Sequence, residues 1–334
     1  MMQFNSQLFS QDFLLNISNQ KIVLPFYHAV CNEHIPHISN LYQVRSVALF
    51  IKDLEFICKH FKPISLAELN AIVKNKVKLT NPVFHLSFDD GLKEIFTEIA
   101  PVLERKGVPA TFFLNSAFID NKDLFFRYKV SLIIEAVKNT KQAINFGTLS
   151  IIFEKQITTK TQLIQVLLGL NYNQIDKIGP IAAIFEVDFK AYLLERQPYL
   201  SSSEINILLR KGFTIGAHSI DHPHFKMLTL AEQKNQILVS SSFLEQNFEI
   251  IDKYFSFPFD DDEVSNQLFA WLFDDRKFDL TFGISGLKKD SFHTHLHRIP
   301  MEKRLNSASK IIKSEYLYFL LKQLFNKNQI IRND

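Results

Sequence analysis

The sequence predicts a parallel α/β fold, and three observations carry that prediction. Short apolar runs of strand length alternate with segments of helical periodicity along most of the chain. Most of these runs end in polar or charged residues, at the position where parallel α/β folds gather their functional groups. Residues 128–199 break the alternation and read as a mostly helical insertion.

Residues 22–28 form a short buried strand that finishes on Tyr27 and His28. Residues 47–60 place Leu49, Ile51, Leu54 and Ile57 at helical spacing. Residues 83–88 are a second strand, closed by the turn-forming Asp89-Asp90-Gly91. The amphipathic stretch 95–106 stops at Gly107, as a helix with a C-terminal glycine does. Residues 110–113 are a third strand, with Asn115 and Ser116 following. Inside the interruption, 130–137, 163–170 and 189–194 are helix-like, and 150–153 is read as a strand. The interruption is either a structural elaboration or a lid that touches substrate.

Alternation resumes with a helix over 205–211 and a strand over 213–217 that ends at His218. A long helix over 230–248 has Thr229 as its cap. A strand over 254–257 ends at Pro258, and 264–273 is a helix. Strands over 280–283 and 293–299 precede a C-terminal helix. The expected parts are residues 1–127, an insertion over 128–200, a second barrel part over 201–305 and the helical end, 306–334.

A length of 334 residues with 46% apolar side chains suits two domains or one barrel with an insertion. The 33 Phe, against 9 Gly and 11 Pro, exclude a disordered or fibrous chain. A net charge of +3 is too mild to imply nucleic acid. The C-terminal stretch is locally basic (Lys303, Arg304, Lys310, Lys313, Lys322, Lys327, Arg332), opposed mainly by Glu302, Glu315 and Asp334. It reads as a solvated helix face or as a contact with an anionic membrane or polymer.

The two cysteines, Cys31 and Cys58, make neither a disulfide framework nor a thiolate zinc site, and read as buried small residues. Residues 1–20 lack a basic region before their first apolar residues, so no cleaved signal peptide is expected. The apolar runs at 22–26 and 316–324 are far shorter than a spanning helix. The expected location is cytoplasmic, with peripheral membrane association left open. Gly283-Ile-Ser-Gly286 lacks the lysine and spacing of a phosphate loop.

The chemistry lies in Ser87-Phe88-Asp89-Asp90-Gly91 and His218-Ser219-Ile220-Asp221-His222. Alone, Asp-Asp-Gly is ordinary turn chemistry and the histidines are core or surface residues. Together, each at a strand end, they offer one carboxylate and two imidazoles, a facial ligand set that leaves positions open for water and substrate. The spare carboxylate can act as a base. Tyr27-His28, Asn115, Pro258-Phe259-Asp260 and His297 also fall at strand ends. The pattern points to metal-assisted hydrolysis.

Ser87-Phe88-Asp89-Asp90-Gly91 resembles the first motif of the NodB-homology polysaccharide deacetylases, carbohydrate esterase family 4. His218-Ser219-Ile220-Asp221-His222 is similar to that family's second motif, with one residue fewer between the imidazoles than some descriptions allow. Lys106-Gly107-Val108-Pro109-Ala110-Thr111-Phe112-Phe113 resembles the segment between them, and Ser256-Phe257-Pro258-Phe259 the third motif. The resemblance covers roughly residues 24–117 and 212–300. It implies a distorted (β/α) barrel of about seven strands with a mostly helical insertion.

It further implies Asp89 as base and Asp90, His218 and His222 as ligands of a divalent metal. Zinc suits this set, and nickel, cobalt or iron fit it too. The implied reaction removes an N-acetyl group, or less readily an O-acetyl group, from a sugar of a polysaccharide or glycolipid. Three departures stand out. The third motif lacks its Arg, for which Arg298 is the candidate replacement. Asp279 sits where the fourth motif's Asp would be, without the following Trp. Thr294-His295-Leu296-His297-Arg298 matches the fifth motif imperfectly, giving His297 as the expected general acid and His28 as its rival. His293, His295 and His297 share one strand face and Arg298 takes the other. His28, Asn115, Pro258, Phe259 and Arg298 form the expected substrate-binding set. Two other readings remain: a glycan-binding member that has lost catalysis, and a hydrolase of a non-sugar amide.

Overall fold

The computed structural model describes residues 9–274, 277–302 and 306–332; Lys303, Arg304 and Asp334 of the basic stretch lie outside these. Helix α1 (Gln11–Ser18) leads into β1 (Ile22–Val23) and β2 (Pro25–Tyr27). Next come α2 (Pro36–Ser39), α3 (Val47–His60), β3 (Lys62–Pro63), α4 (Leu66–Lys74), β4 (Val83–Phe84), β5 (Leu86–Phe88), α5 (Ala100–Lys106) and β6 (Ala110–Leu114). The interruption supplies α6 (Phe126–Asn139), α7 (Phe146–Phe153), α8 (Lys160–Leu168), α9 (Ile178–Ile184) and α10 (Phe189–Arg196). Then follow α11 (Ser202–Arg210), β7 (Thr214–Ala217), α12 (Leu230–Phe248), β8 (Tyr254–Ser256), α13 (Asn266–Phe273) and β9 (Leu280–Gly283). The chain closes with β10 (Lys289–Asp290), β11 (His295–His297), β12 (Ile299–Pro300), α14 (Ala308–Leu324) and β13 (Gln329–Ile330).

The main sheet has eight strands in the order β11-β9-β8-β7-β6-β5-β2-β12, all paired in parallel. Its two edge strands, β11 and β12, are separated in the chain by Arg298 alone. They are one kinked segment that nearly closes the sheet into a barrel. The Arg298 amide bonds the Gly283 carbonyl at 2.9 Å on one side, and the Ile299 amide bonds Leu24 O at 2.8 Å on the other. The alternation of strand and helix in the sequence has its origin here, since parallel neighbours need a crossover between them.

Helix starts follow local chemistry. Ser65 with Glu68, Ser201 with Glu204, and Thr229 with Glu232 form reciprocal capping boxes on α4, α11 and α12. The amphipathic stretch before Gly107 opens with a π-helical turn over Ile95–Ile99. Pro101 has no amide to donate into that turn, and the Ala100 amide bonds Ile95 O instead. Gly107 caps α5 at φ 62°.

Two expectations are corrected. Residues 150–153 belong to helix α7, which Asn145 caps through the Thr148 amide; Leu149 is buried while Ile151 is 78% exposed, a helical and not a strand division. Cys58 is exposed and Cys31 half-buried, both as free thiols.

One apolar cluster fills the space between barrel and outer helices, from Leu14 and Phe50 to Phe319. A second joins α6–α10 to Ala29 and Ile35 of the loop after β2 and Ile38 of α2, so the insertion shares a core with the barrel mouth. A third, with Leu24, Phe113, Tyr254, Leu280 and Phe282, lies around the barrel interior.

Candidate active site

Strand β5 ends directly at Asp89 and Asp90, and β7 ends at His218. The ligand atoms of Asp90, His218 and His222 lie within 4.8 Å of one another, and all three residues are buried. Asp90 Oδ1 stands 3.3 Å from His222 Nε2 and 3.6 Å from His218 Nε2. That oxygen is buried and has no hydrogen-bond partner among the described residues, the condition of a carboxylate oxygen aimed at a cation. The other oxygen, Oδ2, accepts from Tyr128 Oη at 2.6 Å. His218 turns its Nδ1 to the Ser256 carbonyl at 2.7 Å, which leaves Nε2 for the site. Burial pushes His218 below the ordinary imidazole range and His222 down to about 3, so both rings are neutral and able to ligate at neutral pH. The donor set fits a divalent cation.

The backbone here is unusual. Asp90, Ser219, His222 and Phe259 all have positive φ, at 71°, 73°, 63° and 55°. Such conformations cost of order 1–3 kcal/mol each and gather where structure serves function. Gly91 follows Asp90 at φ 66°, where an added Cβ would also meet Leu114 Cδ2 at 3.0 Å.

Asp89 receives a fork from Arg298: Nη1 donates to Oδ1 at 2.8 Å and Nη2 to Oδ2 at 2.7 Å. Ser87 Oγ and Ser256 Oγ accept from the same guanidinium at 2.9 and 2.6 Å. The rings of Phe26, Phe113 and Phe282 surround it at 4.3, 5.3 and 5.9 Å. Burial works to raise the Asp89 carboxyl, but the Arg298 charge and hydrogen bonds, with His218 and His28 nearby, together outweigh it and hold the group at about 2. Arg298 is only 1% exposed. It therefore orients Asp89 from beneath, where the sequence had set it among substrate contacts.

On the far side of β5, β2 delivers His28. Glu302 Oε2 lies 2.5 Å from His28 Nδ1, and Oε1 accepts from the His28 and Ala29 amides at 2.8 and 3.1 Å. Burial works to lower this imidazole, but the adjoining Glu302 carboxylate prevails and lifts it to about 9. Its Nε2 makes no hydrogen bond among the described residues.

The family described as polysaccharide deacetylase matches residues 76–268, more than half of the chain and the stretch that bears Asp89, Asp90, His218 and His222. The chain belongs to the polysaccharide deacetylase family. It is accordingly a hydrolase of amide bonds. Solved structures of similar fold include a Streptococcus pyogenes deacetylase, PplD, in complex with acetate (12% identity, 88% of this chain and 98% of that one, TM-score 0.56). Others are IcaB from Ammonifex degensii (12%, 89% and 97%, 0.55) and a de-N-acetylase from Aggregatibacter actinomycetemcomitans (13%, 88% and 99%, 0.54). No curated protein sequence matches the chain.

Other expected residues of this deacetylase-family chain serve its loops. Asn115 donates to the His218 carbonyl, and to Ser219 Oγ at 3.2 Å, and so braces the ligand loop. Pro258 is buried. Phe259 meets the rings of His222 and His224 at 4.6 and 3.5 Å, and Phe125, just before α6, meets His222 at 4.5 Å. Asp279 precedes β9, at the opposite end from the site residues, and pairs with Lys74.

His297 is not brought to these groups. It points from the opposite face of its segment to Arg298; its Nε2 donates to Asp290 Oδ2 at 3.1 Å, and its Nδ1 accepts from the Ser285 amide at 3.4 Å. Together with Asp261, Asp290 and His295 it forms a second buried cluster of ligand-type atoms. A cation already occupies that cluster: the Arg332 guanidinium donates to Asp261 and, at 2.7 Å, to Asp290, and stacks 3.7 Å from the Phe269 ring. The arrangement is a buried ion network. Sequence reasoning missed Tyr128, Glu302 and Ser256 as partners of the site. Their one sequence signal was a polar group set close to a strand end, and Tyr128 lacked even that.

Proposed function

We propose that this chain is a metal-dependent deacetylase that hydrolyses N-acetyl groups on a sugar of a polysaccharide or glycolipid, releasing acetate. The observation that carries the reading is the Asp90 oxygen left without a partner between two neutral imidazoles, beside a second carboxylate held by Arg298. Asp90, His218 and His222 would hold the ion, with zinc the best match to the donors and nickel, cobalt and iron compatible. A divalent ion there supplies Lewis acidity, acidifying water and polarising the amide carbonyl. Asp89 takes the proton of the attacking water. His28 Nε2 gives its proton to the sugar nitrogen as the carbon–nitrogen bond breaks, so acetate and a free amine leave. Glu302 keeps that imidazole charged and oriented. The role assigned to His297 from sequence passes to His28, because the His297 ring nitrogens face Asp290 and Ser285. Phe125 and Phe259 frame the mouth against the sugar.

The test is acetate release from chito-oligosaccharides and acetylated glycolipids after chelation and reloading with zinc. Activity that survives chelation removes the metal from the mechanism. Release only from non-sugar amides transfers the reading to that substrate class, and release from none favours a glycan-binding protein.

Two substitutions sharpen the assignment. Tyr128→Phe frees the second Asp90 oxygen, and is expected to weaken metal binding or turnover by about 10–100-fold, read by metal titration and acetate release. His28→Gln is expected to lower kcat by roughly 10²-fold and to flatten the alkaline limb of the pH profile. That limb arises because an acid held at about 9 is lost as pH rises through that value; a bound divalent ion would move it downward. An unchanged limb in His28→Gln would exclude His28 as the acid.

A further inference from the structure

A surface separate from the barrel mouth carries its own chemistry. Along the last turns of α14 and at its end, Tyr318, Leu324 and Phe325 are 42%, 77% and 71% exposed. Tyr318 and Phe325 are two helical turns apart, with half-buried Leu321 between them, so these three form one stripe, with Leu324 beside Leu321 at its edge. Lys322 lies within it, its Nζ 5.1 Å from the Tyr318 ring. Helix α14 and the residues just after it hold Lys310, Lys313, Lys322 and Lys327 against one carboxylate, Glu315. Glu315 packs onto the loop at Gly286, where an added Cβ would lie 2.3 Å from its Oε2.

The fold leaves the balance of this charge unchanged, turning one carboxylate and one guanidinium inward. Of the basic stretch seen in the sequence, Glu302 is turned to His28 and Arg332 is buried against Asp261 and Asp290. The lysines remain outside. Helix α1 packs against α14, and Phe13 and Ile17 on it, with Phe9 just before its cap, are exposed by 46%, 50% and 40%. The Phe9 and Phe13 rings stack at 5.5 Å.

We infer that α14, with α1 beside it, is a docking face for an anionic lipid surface. Apolar tips interleaved with lysines suit a bilayer interface, where rings and aliphatic groups enter the acyl boundary and ammonium groups meet phosphates. The core of a protein–protein interface, by contrast, is depleted of lysine. No helix of the described residues is long and apolar enough to cross a membrane, so the contact lies on the surface. The inference is independent of the hydrolytic reading.

The full chain is to be sedimented with phosphatidylcholine vesicles, with and without phosphatidylglycerol. Binding is expected only to the anionic vesicles and is expected to fall as salt is raised. Leu324→Glu with Phe325→Glu, and separately Lys322→Glu with Lys327→Glu, should each weaken binding by about tenfold or more. Thermal melting should be unchanged, since none of the four side chains is buried. No binding to anionic vesicles, or binding that both pairs leave intact, overturns the inference. So does a wild-type dimer in light scattering that the Leu324/Phe325 pair converts to monomer, for the face would then be a contact between copies.

Discussion

Asp89→Asn is expected to lower kcat by roughly 10²–10⁴-fold while the chain still takes up its metal. The carboxamide keeps the size of the side chain but can no longer hold a proton taken from water. Asp90, His218 and His222 are untouched, so metal content measured on the purified variant should match the parent. Retained acetate release would remove Asp89 from its role. Arg298 complicates the outcome in a readable way: its two amino groups both donate to Asp89, and the new amide offers a donor where one of them needs an acceptor. The variant should therefore melt earlier as well. A stability loss without a loss of turnover would identify the pair as structural.

The same ion pair limits what Asp89 can do alone. Held at about 2, it stays ionised throughout the neutral range and is a weak base. It can take a proton only from water that has been acidified, which couples the two halves of the site. Its depressed value also fixes a sign. The stability it contributes is present above the ordinary carboxylate range and is lost as pH falls through about 2. Loss of activity at mildly acid pH would thus not come from Asp89.

Much of the frame was legible because it is written locally. Helices α3 and α12 carry their caps at their own first turns, and strand β9 is a short, wholly buried run. The strand alternation that sets Arg298 opposite His297 was equally visible, and it separates the group that reaches Asp89 from the one that does not. The misread segment at 150–153 is a run of Ser, Ile, Ile and Phe too short to show a period; only the Asn145 cap upstream marks it as helix. Partners far apart in the chain left no local sign. Tyr128 is 38 residues from Asp90 and Glu302 is 274 from His28, and their contacts exist only after the insertion and the barrel close. Asp261 and Asp290 escaped notice for the same reason, and His295 was read only as sharing a strand face with His297, since only Arg332 far along the chain gives them a common purpose.

Arg332→Ala is expected to destabilise the fold by about 3–5 kcal/mol, the range for removing one partner of a buried ion pair. The side chains of Asp261, Asp290 and Arg332 are all 0% exposed. Burial works to raise both carboxyls, yet His295 and His297 beside them, with Arg332, hold Asp261 and Asp290 well below the usual carboxylate range. Without the guanidinium two buried charges would face only two imidazoles, and one Asp261 oxygen already lacks a partner. The strain would fall on the β8–α13 connection, which bears both Asp261 and the Phe259 that covers His222. Chemical denaturation of the variant measures the loss, and adding Asp290→Asn should restore part of it by removing one unpaired charge. The sign with pH follows: the network's contribution stands above the ordinary carboxylate range and fades only in strong acid, whereas in the variant it should fade at milder pH as those carboxyls rise. If zinc raised the melting temperature of Arg332→Ala but not of the parent, the four ligand-type groups would be able to hold a metal once the guanidinium is gone; if it raised neither, the cluster serves the arginine alone.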